Sequence, residues 1–135
     1  MRRWPDGRLT VHADLRGIAT FHCNDMVVYA VGRAYVGNFG FDLHGAERSD
    51  NFAAQLSAYA GATLARVDPD GSVHVAATAL RFPNGTVISP DGRKLIVAET
   101  LAGQLTAFDV NTDGTLSKQR PWAKLPQGTA PDGIC

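Results

Sequence analysis

Cysteine is scarce: the chain has two in 135 residues, Cys23 and Cys135. That is too few for a disulfide scaffold, and they show no metal-ligand spacing. A reduced, cytoplasmic setting is the default expectation. Net charge is missing too, since 13 Lys and Arg stand against 13 Asp and Glu. No bulk field steers the chain to nucleic acid or to an anionic membrane, and neither is expected as a partner. No apolar run approaches the roughly 20 residues that cross a bilayer. The opening MRRWPDGRLTVHADL has no apolar stretch and does not read as a secretory signal. A sustained helical face is also lacking. The best helix candidate, ERSDNFAAQLSAYA (47–60), lies between strand-like segments. Residues 43–62 are expected to form an insertion loop with one or two helical turns.

What remains is ordinary globular material: 44% hydrophobic and 19% charged residues, in a length sufficient for one domain with a core. It is punctuated by turn signals at PDGRLTVHA (5–13), VGRAYVGN (31–38), DPDGSVHVAA (68–77), SPDGRKLIVAE (89–99), NTDGTLSKQR (111–120) and APDGIC (130–135). Asp-Gly makes a tight turn because Gly accepts positive φ and Asp bonds its own backbone. After most of these turns, polar and β-branched or aromatic residues alternate with period two, as in RAYVGN, RKLIVAE and LTAFDV. Strands are predicted near 25–30, 34–38, 63–67, 73–78, 86–89, 94–98 and 105–109.

Many short strands with Asp-Gly turns indicate an all-β sandwich, barrel or propeller. Spacing selects the propeller. NDMVVYAVGRAYVG (24–37) and NGTVISPDGRKLIVAE (84–99) share one plan: a leading Asn, an apolar strand, a turn carrying Gly-Arg, and a second strand. The two Asn residues lie 60 apart, and Asp132 follows Asn84 by 48. A blade of four strands takes roughly 40–50 residues, so each interval is one blade, the first with an insertion. About three blades fit, whereas closed propellers have about four to eight. The chain is therefore expected to be a single partial β-propeller domain over 1–135, opening inside one blade and breaking off inside another. Its free edges and open apolar faces predict self-association.

At FHCNDMVV, FPNGTVISPDGRKLIVAET and APDGIC the sequence resembles the SMP-30/gluconolactonase/luciferin-regenerating-enzyme family, from about Val11 to Cys135. Strictosidine-synthase-like propellers share the NG…S.DG..L.VAET segment and are less similar at the other two motifs. The resemblance implies a six-bladed propeller. It implies an active site at one mouth of the channel, around one divalent cation: calcium first, with zinc, magnesium or manganese as alternatives. Typical members hydrolyse sugar lactones or related esters, so the expected partner is a small lactone or ester. By resemblance Asn84 and Asp132 are metal ligands, and Asp132 is also the general base. Asn24 lies near substrate and metal-bound water, with Asp25 beside it. His22 stands where sugar-lactone members often carry arginine, and Asp42 where some carry an acidic residue; both are candidate substrate contacts. A further glutamate ligand of the family is expected upstream of Met1. The chain alone is therefore expected to be inactive, and a non-catalytic propeller segment is the alternative reading.

The chemistry has its own logic. Hard divalent cations take oxygen ligands, and Asn carbonyls with a carboxylate supply them at low charge. Asn-Gly and Pro-Asp-Gly are also common turn pairs. Position separates Asp132, which leads a blade, from Asp91, which sits between two strands of one. Glu99 and Thr100 either face the channel or end a strand.

Overall fold

The computed structural model describes all 135 residues. Strands β1 (Arg2–Arg3) and β2 (Leu9–Thr10) form a small antiparallel hairpin across the first Pro-Asp-Gly turn. A four-stranded antiparallel sheet follows, made of β3 (Cys23–Val28), β4 (Ala34–Asn38), β5 (Ala62–Val67) and β6 (Val73–Leu80). A second contains β7 (Pro83–Ile88), β8 (Lys94–Glu99), β9 (Gln104–Val110) and β10 (Leu116–Lys124). Each is a meander whose spatial order is its sequence order. The first strands, β3 and β7, lie against one another. Two such sheets side by side, joined only by Arg81 and Phe82, are two neighbouring propeller blades. All seven predicted strands are present; β1, β2 and β10 were not predicted.

Period-two alternation places the core. Tyr35, Leu64 and Leu80 of the first blade pack with Leu95, Val97 and Phe108 of the second. Ala34, Val36, Ala65 and Val67 point the other way, against Ala13, Leu15 and Ile18 of the N-terminal segment. Each large apolar side chain fully buried in this way stabilises the fold by about 1.5–3 kcal/mol.

The antiparallel register gives the blades two distinct ends. At one end lie the tight turns. Asp6, Asp70, Asp91 and Asp113 each accept, through Oδ1, the backbone N–H two residues on. This is the local bond that makes Asp-Gly a turn signal. The Ser72, Ser89 and Thr115 hydroxyls, with those N–H groups, hold Asp70, Asp91 and Asp113 below the usual carboxylate range. The same end carries a clasp between blades. Arg33 Nε and Arg66 Nη2 hold the two oxygens of Asp68 at 2.6 and 2.9 Å. Arg66 also donates to Asp113 O, and Tyr35 Oη donates to Gly114 O at 2.8 Å.

The other end gathers the start of β3, the end of β4, the start of β7, the end of β8 and residues 125–135, which form no strand or helix. Between β4 and β5, on this same end, lie two short helices, α1 (Leu43–Glu47) and α2 (Phe52–Ala58). No helix is long and apolar enough to cross a membrane.

Candidate functional site

Asn24 and Asn84 occupy the same place in the two blades. Each is the second residue of a first strand, in β3 and β7. Each strand also carries an irregularity there: pairing skips from Cys23 to Met26 and from Pro83 to Thr86. A bulge bends the strand and re-aims its side chains. The same bulge thus recurs at both Asn positions, at one end of two adjacent inner strands.

Asn84 is buried. Its Nδ2 donates to Thr100 Oγ1 at 3.1 Å. No group of the chain donates to its Oδ1, which is left as a free carbonyl. Asn24 is half-buried, and its Nδ2 is a buried donor with no partner. The other buried side-chain donor without a partner is Arg66 Nε, at the opposite end of the blades.

Asp132 departs from the other four Asp-Gly aspartates. Its carboxylate accepts no hydrogen bond from the chain, while Asp6, Asp70, Asp91 and Asp113 all close their own turns. It is tied instead through its backbone: Gly85 N–H donates to Asp132 O at 3.0 Å. Thr100 Oγ1 donates to Pro131 O at 2.7 Å. Gly85 allows this approach, because a Cβ there would stand 2.5 Å from Ile134 N and 2.7 Å from Gly133 Cα, and would also strike Asp132 O. Residues 131–134 therefore lie directly along the Asn84-Gly85 step.

Glu99 faces inward and is only 3% exposed. Its oxygens are occupied by Arg81 N–H at 2.6 Å, Gln104 Nε2 at 3.0 Å and the Thr106 hydroxyl. It ends its strand as a structural acceptor. Asn38 is likewise closed, donating to Thr63 O and accepting from Gly40 N–H.

An aromatic rim borders this end. His22 lies edge-on to Phe21 and Phe39, and Phe39 packs on Phe82 with ring centres 4.8 Å apart. His44 of α1 meets Phe39 edge-on. Of these, His22 was singled out in the sequence; Phe39 and Phe82 were not. The available signal was position: Phe82 is two residues before Asn84, and Phe39 directly follows the strand paired with β3. Asp42 is exposed and caps α1, its Oδ1 accepting from Gly45 N–H at 2.8 Å. Cys23 is a free thiol, and partial desolvation pushes its pKa up, away from a thiolate nucleophile.

Asn84 Oδ1 and the exposed Asp132 carboxylate are oxygen donors of the kind a hard divalent cation takes, and their backbones adjoin where Gly85 N–H meets Asp132 O. No group of three or more His, Cys, Asp or Glu forms a metal cluster.

The model of the SMP-30/gluconolactonase/LRE-like region matches residues 1–135. Among solved structures, the chain is similar to a gluconolactonase from Xanthomonas campestris, at 31% identity and TM-score 0.62, over 84% of this chain and 37% of that one. It is also similar to a luciferin-regenerating enzyme, at 17% identity and TM-score 0.59, over 76% of this chain and 30% of that one. The second likeness concerns the fold alone. The chain thus spans about a third of the length of the solved structures it matches.

Proposed function

Because the chain belongs to the SMP-30/gluconolactonase/LRE-like family, we propose that it forms part of the active-site end of a divalent-metal-dependent hydrolase of lactones or related esters. The observation that carries this reading is the contrast among the Asp-Gly aspartates. Four are used up in their own turns, whereas the Asp132 carboxylate has no partner in the chain and its backbone O is held by the N–H of Gly85, the residue next to Asn84.

In this reading Asn84 Oδ1 and the Asp132 carboxylate hold the cation, calcium first and zinc, magnesium or manganese as alternatives. When bound, such an ion polarises an ester carbonyl and makes a water more acidic. Asp132 takes the proton of the attacking water at a carboxylate oxygen, as general base. Asn24 Nδ2 donates to the carbonyl oxygen as charge gathers on it. His22 orients the substrate, and Phe39 and Phe82 exclude water from one side of it. Asp42 has Oδ2 left for a substrate hydroxyl.

Two protein ligands are few for calcium, which takes six to eight oxygens, so binding by this chain is expected in the millimolar range. Titration calorimetry with calcium chloride on the chain and on Asp132→Ala tests the reading. A millimolar isotherm that vanishes in the variant is expected. Equal heats for the two proteins would remove Asp132 from the site.

A further inference from the structure

Thr100 directly follows β8, and its N–H donates to Phe82 O at 3.1 Å, pinning it opposite the start of β7. Its hydroxyl stands between two groups. Pro131 O is 2.7 Å away, and Asn84 Nδ2 is 3.1 Å away. A hydroxyl has one proton and two lone pairs. A carbonyl can only accept, so the proton goes to Pro131 O. The oxygen can then only accept from Asn84, and Asn84 must turn its NH2 toward it. The carbonyl Oδ1 is thereby fixed on the opposite side.

An asparagine amide is nearly symmetric in shape, so its neighbours decide which of its two atoms faces a site. Only the oxygen can bind a cation. We propose that Thr100 is the positioning residue of the site: one hydroxyl selects the metal-facing atom of Asn84 and, through Pro131, seats Asp132 beside it. This rests on the metal reading above. It goes beyond it by assigning the orientation of both ligands to a residue that touches neither metal nor substrate. Glu99 cannot share the task, because its oxygens are already occupied.

Serine keeps the hydroxyl; valine keeps the shape and loses it. The test uses the ¹⁵N-labelled full chain, Thr100→Ser and Thr100→Val, with two readouts. One is amide exchange at Gly85, whose N–H holds Asp132 O, measured without metal. The other is calcium affinity. Thr100→Ser should stay within about two-fold of the parent in both. Thr100→Val should exchange at least about ten-fold faster at Gly85 and bind calcium at least about ten-fold more weakly, with Ala107 in the core unchanged. Valine matching the parent in both readouts, or serine failing like valine, would overturn the proposal. If the parent itself binds no calcium, the metal reading fails. The exchange arm then still decides the tether: unchanged Gly85 exchange in Thr100→Val refutes it, and faster exchange there, with Thr100→Ser unaffected, supports it. Without any substitution, the Asn84 NH2 protons should show nuclear Overhauser contacts to Thr100 Hβ, and their absence would refute the amide orientation.

Discussion

Replacing Gly85 by alanine tests whether the Asp132 segment is seated by close backbone approach. The new Cβ would stand 2.5 Å from Ile134 N and 2.7 Å from Gly133 Cα. Ordinary contact is about 3.5–4.0 Å, so one backbone must move by about 1 Å. In a closed core such overpacking costs about 1–3 kcal/mol. Here the 131–134 side belongs to no strand or helix and is the side that gives way. What is lost is then one hydrogen bond, Gly85 N–H to Asp132 O, worth about 0.5–1.5 kcal/mol. Gly→Ala returns about 0.4–1 kcal/mol by restricting the unfolded chain. The two nearly cancel. Gly85→Ala should therefore leave the urea midpoint almost unchanged, yet weaken calcium at least about ten-fold, because Asp132 is displaced from Asn84. Calorimetry and urea unfolding monitored by tryptophan fluorescence read the two effects separately. Parent calcium affinity in Gly85→Ala would refute the seating argument. A midpoint loss corresponding to about 3 kcal/mol would show instead that β7 moves.

Other perturbations have definite outcomes. Asp68→Ala leaves Arg33 and Arg66, only 16% and 12% exposed, without their carboxylate; partly screened, this should cost about 2 kcal/mol and lower Tm by about 5–8 °C, while calcium affinity stays constant. Hydrogen bonding to Arg33 lowers the Asp68 carboxyl pKa, and bonding to Lys118 and Arg120 lowers that of Asp109. Their stabilisation is complete above the unfolded value and disappears as pH falls below about 4. Urea midpoints from pH 7 to pH 2.5 should show that fall, and Asp68→Asn should flatten part of it. Glu99→Gln turns one acceptor toward the surrounding donors into an NH2, and should destabilise by about 1–3 kcal/mol in thermal melts. Met26 and Val28 of the inner strand β3 remain exposed, so light scattering after size exclusion should show association; a sharp 14.4 kDa monomer would count against open blade faces.

Much of the fold was legible because period-two alternation and Asp-Gly turns are local signals. RAYVGN and RKLIVAE became β4 and β8 because each had only one register that buried Tyr35 or Leu95 and Val97. The last strand, β10, was hidden. It carries Pro121, two pairing irregularities, and Lys118 at positive φ. Edge strands tolerate these features, and they erase alternation. The two-residue strands β1 and β2 are too short for any pattern. β3 and β7 begin earlier than predicted, since a bulge at each Asn breaks the apolar alternation that marks a strand. The resemblance to the family, supported by blade spacing, pointed to Asn24, Asn84 and Asp132 as candidates. The free state of Asp132 was not legible, since PDG reads the same at 90–92 and 131–133 until the carboxylate partners are seen. Thr100 could be placed at a strand end but not linked to the Asp132 segment, because its hydroxyl reaches Pro131 O, 31 residues further on.

The most direct test is a calcium titration of the ¹⁵N-labelled chain followed residue by residue. Binding between Asn84 and Asp132 predicts saturable shifts at Asn24, Asn84, Gly85, Thr100 and Asp132, including the Asn84 side-chain amide, with the opposite end of the blades unmoved. Shifts centred on the turn aspartates Asp70, Asp91 and Asp113, or no saturable shift at Asn84 and Asp132, would contradict the account.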